Sequence, residues 1–228
     1  MVILGIDTSG AYTCLAISKG DKLIAQMTFG ASNDHSEQLI DYIELILKSA
    51  KLSIKDIDLF ASSIGPGSFT GTRIAIATVK AFSQALNKPV VGISTLEILI
   101  ENLSVLNTKA AIIDAKRDRV YAILKSNEEY ILKEGIYAIE DFIDIAKDLP
   151  DLVICGEGTI VFKELLDNNN LKIANNDLNL HRAFNLCRLA KNKFEKEGAD
   201  NIFELAPNYM GKSQAQIDYE KRHGKCLK

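Results

Sequence analysis

The chain of 228 residues has no tryptophan, four prolines, three histidines and four cysteines, and its formal net charge is only −3. Each scarcity removes a class of function. Cys14, Cys155, Cys187 and Cys226 contain no C-x-x-C pair, so they spell neither a zinc site nor a redox motif, and reduced structural thiols are expected. His35, His181 and His223 are far apart, and Leu39 rather than a second ligand stands four residues after His35, which excludes a helical two-histidine metal site. A balance this near neutral excludes a nucleic-acid coat or a cationic membrane binder and leaves any RNA contact to a local patch. No apolar run approaches the roughly 18 residues of a spanning helix. The opening run Val2, Ile3, Leu4, Gly5, Ile6 is too short for a signal peptide and lacks its basic leader. A cytoplasmic protein with no membrane attachment is expected.

With 47% hydrophobic and 25% charged residues, the composition is that of a globular protein with one large domain or two small ones. The pattern predicts strands over 2–6, 13–18 and 22–29, the last two joined by the turn Lys19, Gly20, Asp21. Asn33 and Asp34 suit a helix cap before an amphipathic run over 35–50. A buried-type strand over 57–64 follows, then a glycine-rich turn, a helix over 68–86 and a strand over 90–93 opened by Pro89. Helical crossovers between parallel strands make the class α/β with a mixed sheet.

The second half replays this order with strands over 110–114, 120–125 and 129–138, a helix over 140–147 and a strand over 152–155. Its first strand ends in Asp114 as the first half's ends in Asp7, and Gly156-Glu157-Gly158 answers Gly65-Pro66-Gly67. An internal duplication accounts for this; a single irregular α/β domain is the alternative. Beyond Gly158 the replay is stripped down to a short helix ending near Leu166 and polar segments. A long helix over 181–196 then closes onto the body. The boundaries expected are 1–105, 106–213 and a polar basic tail over 214–228, which reads as a solvated end.

Two motifs bear on chemistry. Asp7-Thr8-Ser9-Gly10 at the end of a strand is placed where ligands of α/β sheets bind, although these residues also make an ordinary turn. Gly65, Gly67 and Ser68 lead into a helix N-terminus, a natural anion site, yet Thr72 stands where a P-loop has its lysine and Pro66 lacks an N–H. A tight turn capped by Ser68 explains the same residues. The candidate phosphate or nucleotide remnant is thus Asp7, Thr8, Ser9, Gly65, Gly67 and Ser68. A hydrolase reading of His35-Ser36-Glu37 or Ser68 lacks the G-x-S-x-G elbow, and three histidines give little choice of a base.

Taken together, residues 3–9, His35-Ser36-Glu37-Gln38-Leu39, Gly65-Pro66-Gly67-Ser68-Phe69-Thr70-Gly71-Thr72-Arg73, Ser94-Thr95-Leu96 and Ile113-Asp114-Ala115-Lys116-Arg117 through Val120-Tyr121 resemble the TsaB (YeaZ) family. The resemblance is carried by the N-terminal half, and after Tyr209-Met210 stands Gly211 where the family more often has arginine. It implies a duplicated actin-like ATPase (ribonuclease H-like) fold, second half reduced, with the nucleotide and metal apparatus lost. It also implies a non-catalytic subunit for making N6-threonylcarbamoyladenosine on tRNA, with no cofactor, no metal and no catalytic residue. The implied partners are the catalytic paralogue TsaD, the ATPase TsaE, a second copy of the chain, and tRNA through the complex. An independent actin-like ATPase or kinase, or a glycoprotease-like peptidase, is the alternative.

The helices add an expectation of their own. On a helical wheel Leu39, Ile40, Ile43, Ile46, Leu47 and Ala50 share a face that should lie on the sheet, flanked by Gln38, Tyr42, Leu45 and Ser49. In the next helix Arg73, Ala77, Lys80 and Gln84 share one stripe. Two adjacent helices more apolar than one sheet contact requires point to a partner surface at Gln38, Tyr42, Leu45, Ser49, Arg73, Ala77 and Lys80. Burial of the second helix within its own domain is the other explanation.

Overall fold

The computed structural model describes residues 1–30 and 35–210, and only the backbone of residues 35–37. The Asn33 and Asp34 cap, the side chains of His35, Ser36 and Glu37, Gly211, and the basic tail lie outside the described residues.

The first sheet contains β1 (Val2–Asp7), β2 (Tyr12–Lys19), β3 (Lys22–Gly30), β4 (Leu59–Ser63) and β5 (Val90–Ile93), in the order β3-β2-β1-β4-β5. The second contains β6 (Thr108–Asp114), β7 (Arg119–Ser126), β8 (Glu129–Ala138), β9 (Val153–Cys155) and β10 (Lys172–Ile173), in the order β10-β9-β6-β7-β8. Read from opposite ends the two orders are identical. In both, the first strand runs antiparallel to the second and parallel to the fourth. The fold is therefore duplicated, as the resemblance implies. The reduction is visible too: α2 (Phe69–Leu86) has 18 residues, whereas its counterpart is broken into α5 (Gly158–Val161) with 4 and α6 (Lys163–Asn168) with 6.

Alternation sorts the first sheet's side chains. Leu4, Ile6, Leu15, Ile17 and Phe60 face one way, into a core with α1 (His35–Ser49) and α2. Ile3, Cys14, Ala16, Leu59 and Val91 face the other way. The central strands are buried on both faces because helices lie on each.

The second faces are covered by exchange. The helix after β5, α3 (Thr95–Ile100), packs on β6 and β7 of the other half, where Leu96, Leu99 and Ile100 join Ala111, Ile113 and Ile123. The helix after β10, α7 (Ala183–Glu197), packs on β1, β2 and β5, where Leu186, Cys187 and Ala190 join Ile3 and Ala16. The second sheet's other face carries α4 (Ile139–Ala146), α5 and α6 through Phe142, Phe162 and Leu166. Cys14, Cys155 and Cys187 are free thiols, and burial pushes each up to about 12. No helix among the described residues is long and apolar enough to cross a membrane.

Two points of the sequence reading need correction, while the expected flank position of Leu45 agrees with its exposure. The six-residue α3 is missing from the sequence reading because a helix that short and buried all round shows no amphipathic period. Ile40, expected on the sheet, is 55% exposed, while Leu39, Ile43 and Ile46 are buried. At 100° per residue Ile40 sits about 60° outside the arc those three define. Leu45 is 48% exposed, so α2 does not cover it.

Because Leu186 is fully buried between α7 and a sheet built by the other half, Leu186→Ala should cost about 2–5 kcal/mol. Ile40→Ala should change stability by less than about 0.5 kcal/mol. Urea unfolding of both variants checks the contrast.

Candidate functional site

The carboxyl ends of β1, β4 and β5 meet at the place where open α/β sheets bind ligands. There Asp7 is 0% exposed, not the start of an exposed turn as its sequence context suggests. Its Oδ1 accepts from Ser9 N at 2.8 Å, Ser9 Oγ at 2.6 Å and Ser63 Oγ at 2.7 Å. Its Oδ2 makes no well-aligned hydrogen bond, and its close partner is His181 Nδ1 at 3.1 Å, so charge rather than a directed bond ties the two. Ser9 Oγ is also 3.0 Å from Thr95 Oγ1 and 3.4 Å from His181 Nδ1.

Burial pushes the Asp7 carboxyl up, but the charge and close approach of His181 and the bonds from Ser9 outweigh it and hold the group at about 2. Burial likewise disfavours the His181 imidazolium, and Asp7 more than reverses that, raising its pKa. The two form a buried ion pair, which sequence reasoning misses because nothing local marks His181 as Asp7's partner.

An aspartate, a histidine and a serine together invite comparison with a hydrolytic triad, and the geometry denies it. A triad needs one imidazole nitrogen on the carboxylate and the other on the hydroxyl. Here the same Nδ1 faces both, Ser9 gives its proton to Asp7, and Ser9 is 2% exposed. No group of three or more His, Cys, Asp or Glu that could hold a metal occurs among the described residues.

The proposed phosphate residues are brought together, but against one another. Ser68 N donates to Ser9 O at 2.7 Å, and Thr8 Oγ1 donates to Gly71 O at 2.6 Å. A Cβ on Gly67, whose φ is +151°, would stand 2.4 Å from Ser9 O, and one on Gly71 would stand 1.8 Å from Thr8 O. Gly65 O accepts from Thr95 N at 2.9 Å, and Ser68 Oγ caps Gly71 N at 3.1 Å as expected. The Ser9 carbonyl thus takes the N–H that would otherwise greet an anion at the start of α2. The second half repeats the close approach: a Cβ on Gly156 would stand 2.2 Å from Ile112 O.

On the outer surface, Gln38, Leu45, Ser49, Arg73 and Ala77 are exposed, and Tyr42 and Lys80 are half-buried. Tyr42 stacks on Phe29 at 3.7 Å between centroids and bonds Gln38. Since Phe29 is on edge strand β3, this flank of α1 lies on the β3 side, and Ile40 is on the side turned to α2. Ser49 Oγ donates to Ile46 O, and Lys80 Nζ to Leu205 O. Arg73 lies 3.8 Å over the Phe69 ring and donates from Nε to Tyr209 OH at 2.7 Å, a contact with no signal in the sequence.

A family model described as TsaD: tRNA N6-adenosine threonylcarbamoyltransferase matches residues 29–219. The chain is 27% identical to the tRNA threonylcarbamoyladenosine biosynthesis protein TsaB of Bacillus subtilis, a match covering 96% of this chain and 98% of that protein. It is 38% identical to the protein of the same description from Buchnera aphidicola of Schizaphis graminum, over 44% of this chain and 47% of the relative. The solved structure of YeaZ from Pseudomonas aeruginosa superposes with a TM-score of 0.73 at 21% identity, covering 91% of this chain and 99% of that one. At that identity the likeness concerns the fold.

Removing the buried Asp7 leaves its hydroxyl donors and the partly buried His181 without their carboxylate, so Asp7→Ala should cost about 3–5 kcal/mol by urea unfolding, contrary to the tolerance an exposed turn would give. A depressed carboxylate stabilises above its unfolded value of roughly 4 and loses that contribution as pH falls toward 2. The gap between the wild type and Asp7→Ala should therefore narrow below about pH 4. Gly67→Ala and Gly71→Ala should each cost at least about 1–3 kcal/mol. Gly30→Ala, with nothing within 4 Å, is the near-neutral control. Alanine at position 67 is thus no mild change, because it already meets backbone.

Proposed function

The chain belongs to the TsaD-related proteins, in their TsaB (YeaZ) branch, and from this membership we propose that it is the non-catalytic partner subunit for making N6-threonylcarbamoyladenosine on tRNA. It docks to the catalytic paralogue TsaD through its first two helices. TsaE joins the assembly, tRNA is met through it, and the free subunit pairs with a second copy by the same face. The observation that carries the reading is the apolar exposure on α1, with Leu45 at 48% and Ile40 at 55% on its two flanks. Beside it α2 presents Arg73, Ala77, Ala81 and Gln84 to solvent.

Two further points support the reading. Small side chains at 77 and 81 let a partner helix approach α2 closely, and an arginine among aromatic rings is the composition of binding hot spots. The strand ends, where an actin-like enzyme would hold its ligand, are packed with the chain's own side chains and carbonyls. This favours a surface role over the ATPase, kinase or peptidase alternative.

Leu45 reaches solvent in the free subunit, so Leu45→Glu should leave the melting temperature unchanged while placing an unpaired carboxylate in the docked contact. Pairing with TsaD, read by titration calorimetry, should weaken at least about 30-fold, the loss of a hot spot of roughly 2 kcal/mol. Ile40→Glu, on the flank turned to α2, should do the same. Folded variants that still bind TsaD normally would refute docking through these helices.

A further inference from the structure

We infer that Asp7 and His181 form a proton-dependent clasp that holds the two halves of the molecule together between their sheets. Asp7 ends β1 in the first sheet, 0% exposed. His181 closes a segment fixed to the second half: Asn179 Oδ1 accepts from Gly156 N at 2.7 Å, just beyond β9, and Leu178 packs into the core on the second sheet. Between these anchors the imidazole stands 3.1 Å from Asp7 Oδ2, which has no other partner. The ring lies so close to the turn after β1 that a Cβ on Gly10 would meet it at 2.7 Å. The protein itself thus supplies a cation to a carboxylate that would otherwise be buried without one.

The groups around the ring all act in one direction. Asp7 on β1 is in contact, and Glu157, in the turn after β9, acts at longer range. Ser9, in the turn after β1, is neutral, as is its bonded neighbour Thr95 at the start of α3. Both charged neighbours are negative and favour the imidazolium. A histidine whose folded pKa is raised stabilises fully below its unfolded value of roughly 6.5 and loses that contribution as pH rises through the folded value. Asp7 remains ionised throughout this range. Deprotonation therefore loosens the clasp on the alkaline side. Since His181 precedes α7 by two residues, the element released is the exchanged helix that covers Ile3 and Ala16.

Hydrogen exchange on the full chain, corrected for the intrinsic rate, tests this between about pH 6.5 and 9. Amides of α7 should lose protection several-fold across the range, while those of α4, on the far face of the second sheet, should not. Asp7→Asn, which keeps the shape and removes the charge, should abolish the dependence. In His181→Ala, free imidazole added in its protonated form should raise the melting temperature by several degrees, and the same addition should leave the wild type unmoved. Should Asp7→Asn not fold, the wild-type profile and the imidazole rescue decide. Protection of α7 that is independent of pH in the wild type, a dependence that survives in Asp7→Asn, or a failure of imidazole to rescue would each overturn the clasp.

Discussion

The exchange of helices between the halves is the constraint on which the remaining structure depends. A five-stranded sheet with parallel crossovers must be covered on both faces, and each half supplies only one covering layer for itself. The first sheet borrows α7, and the second borrows α3. Neither half can then expose its strand ends independently, because both borrowed helices begin there. Thr95 opens α3 and His181 lies just ahead of α7. The polar cluster around Asp7 is consequently a product of the topology: it forms where the two exchanged helices start and where β1 and β4 end.

That placement explains why a site with the residues of a ligand pocket holds none of its openness. Carboxylate, hydroxyls, imidazole and a helix N-terminus are present, but they are turned largely on one another: Asp7 Oδ1 takes three donors, Oδ2 faces His181, and Ser68 N donates to Ser9 O. The contacts of Gly67 and Gly71 with the Ser9 and Thr8 carbonyls press loop and turn together at distances that only glycine permits. In an enzyme the same N–H groups and carboxylate would be left for substrate, and the unmade bonds would cost stability until it arrived. Here Ser9, Ser63 and Ser68 already make several of those bonds within the chain.

Much of the fold is legible in the sequence because the signals are local. The alternation of Leu4 and Ile6 against Ile3, the Lys19, Gly20, Asp21 turn, the period of α1 and the Ser68 cap each occupy a few consecutive residues. The repeat of a strand-end aspartate and a glycine turn reveals the duplication, which the matching strand orders establish. The sequence does not show which helix covers which sheet, since α3 is too short to display a period and the exchange leaves no mark on composition. It also does not show the Asp7 environment. Ser9 and His181 are 172 residues apart, and the turn formers around Asp7 look solvent-exposed until α7 brings the histidine over them.

The surface follows from the same logic. With both faces of each sheet already covered, the apolar side chains left over on α1 add nothing to the core, and Tyr42 shows the difference. Its ring is used up on Phe29, whereas Leu45, one turn along the same flank, touches solvent. The leucine is exposed beside a half-buried tyrosine, so its apolar area is not used within the chain. The one arginine on α2 is held over Phe69 and fixed by Tyr209, so a partner would meet it already ordered. Ordering a long side chain beforehand lowers the entropy lost on association. The polar groups at the strand ends tie the two halves to each other, and the outer faces of α1 and α2 keep apolar side chains in solvent.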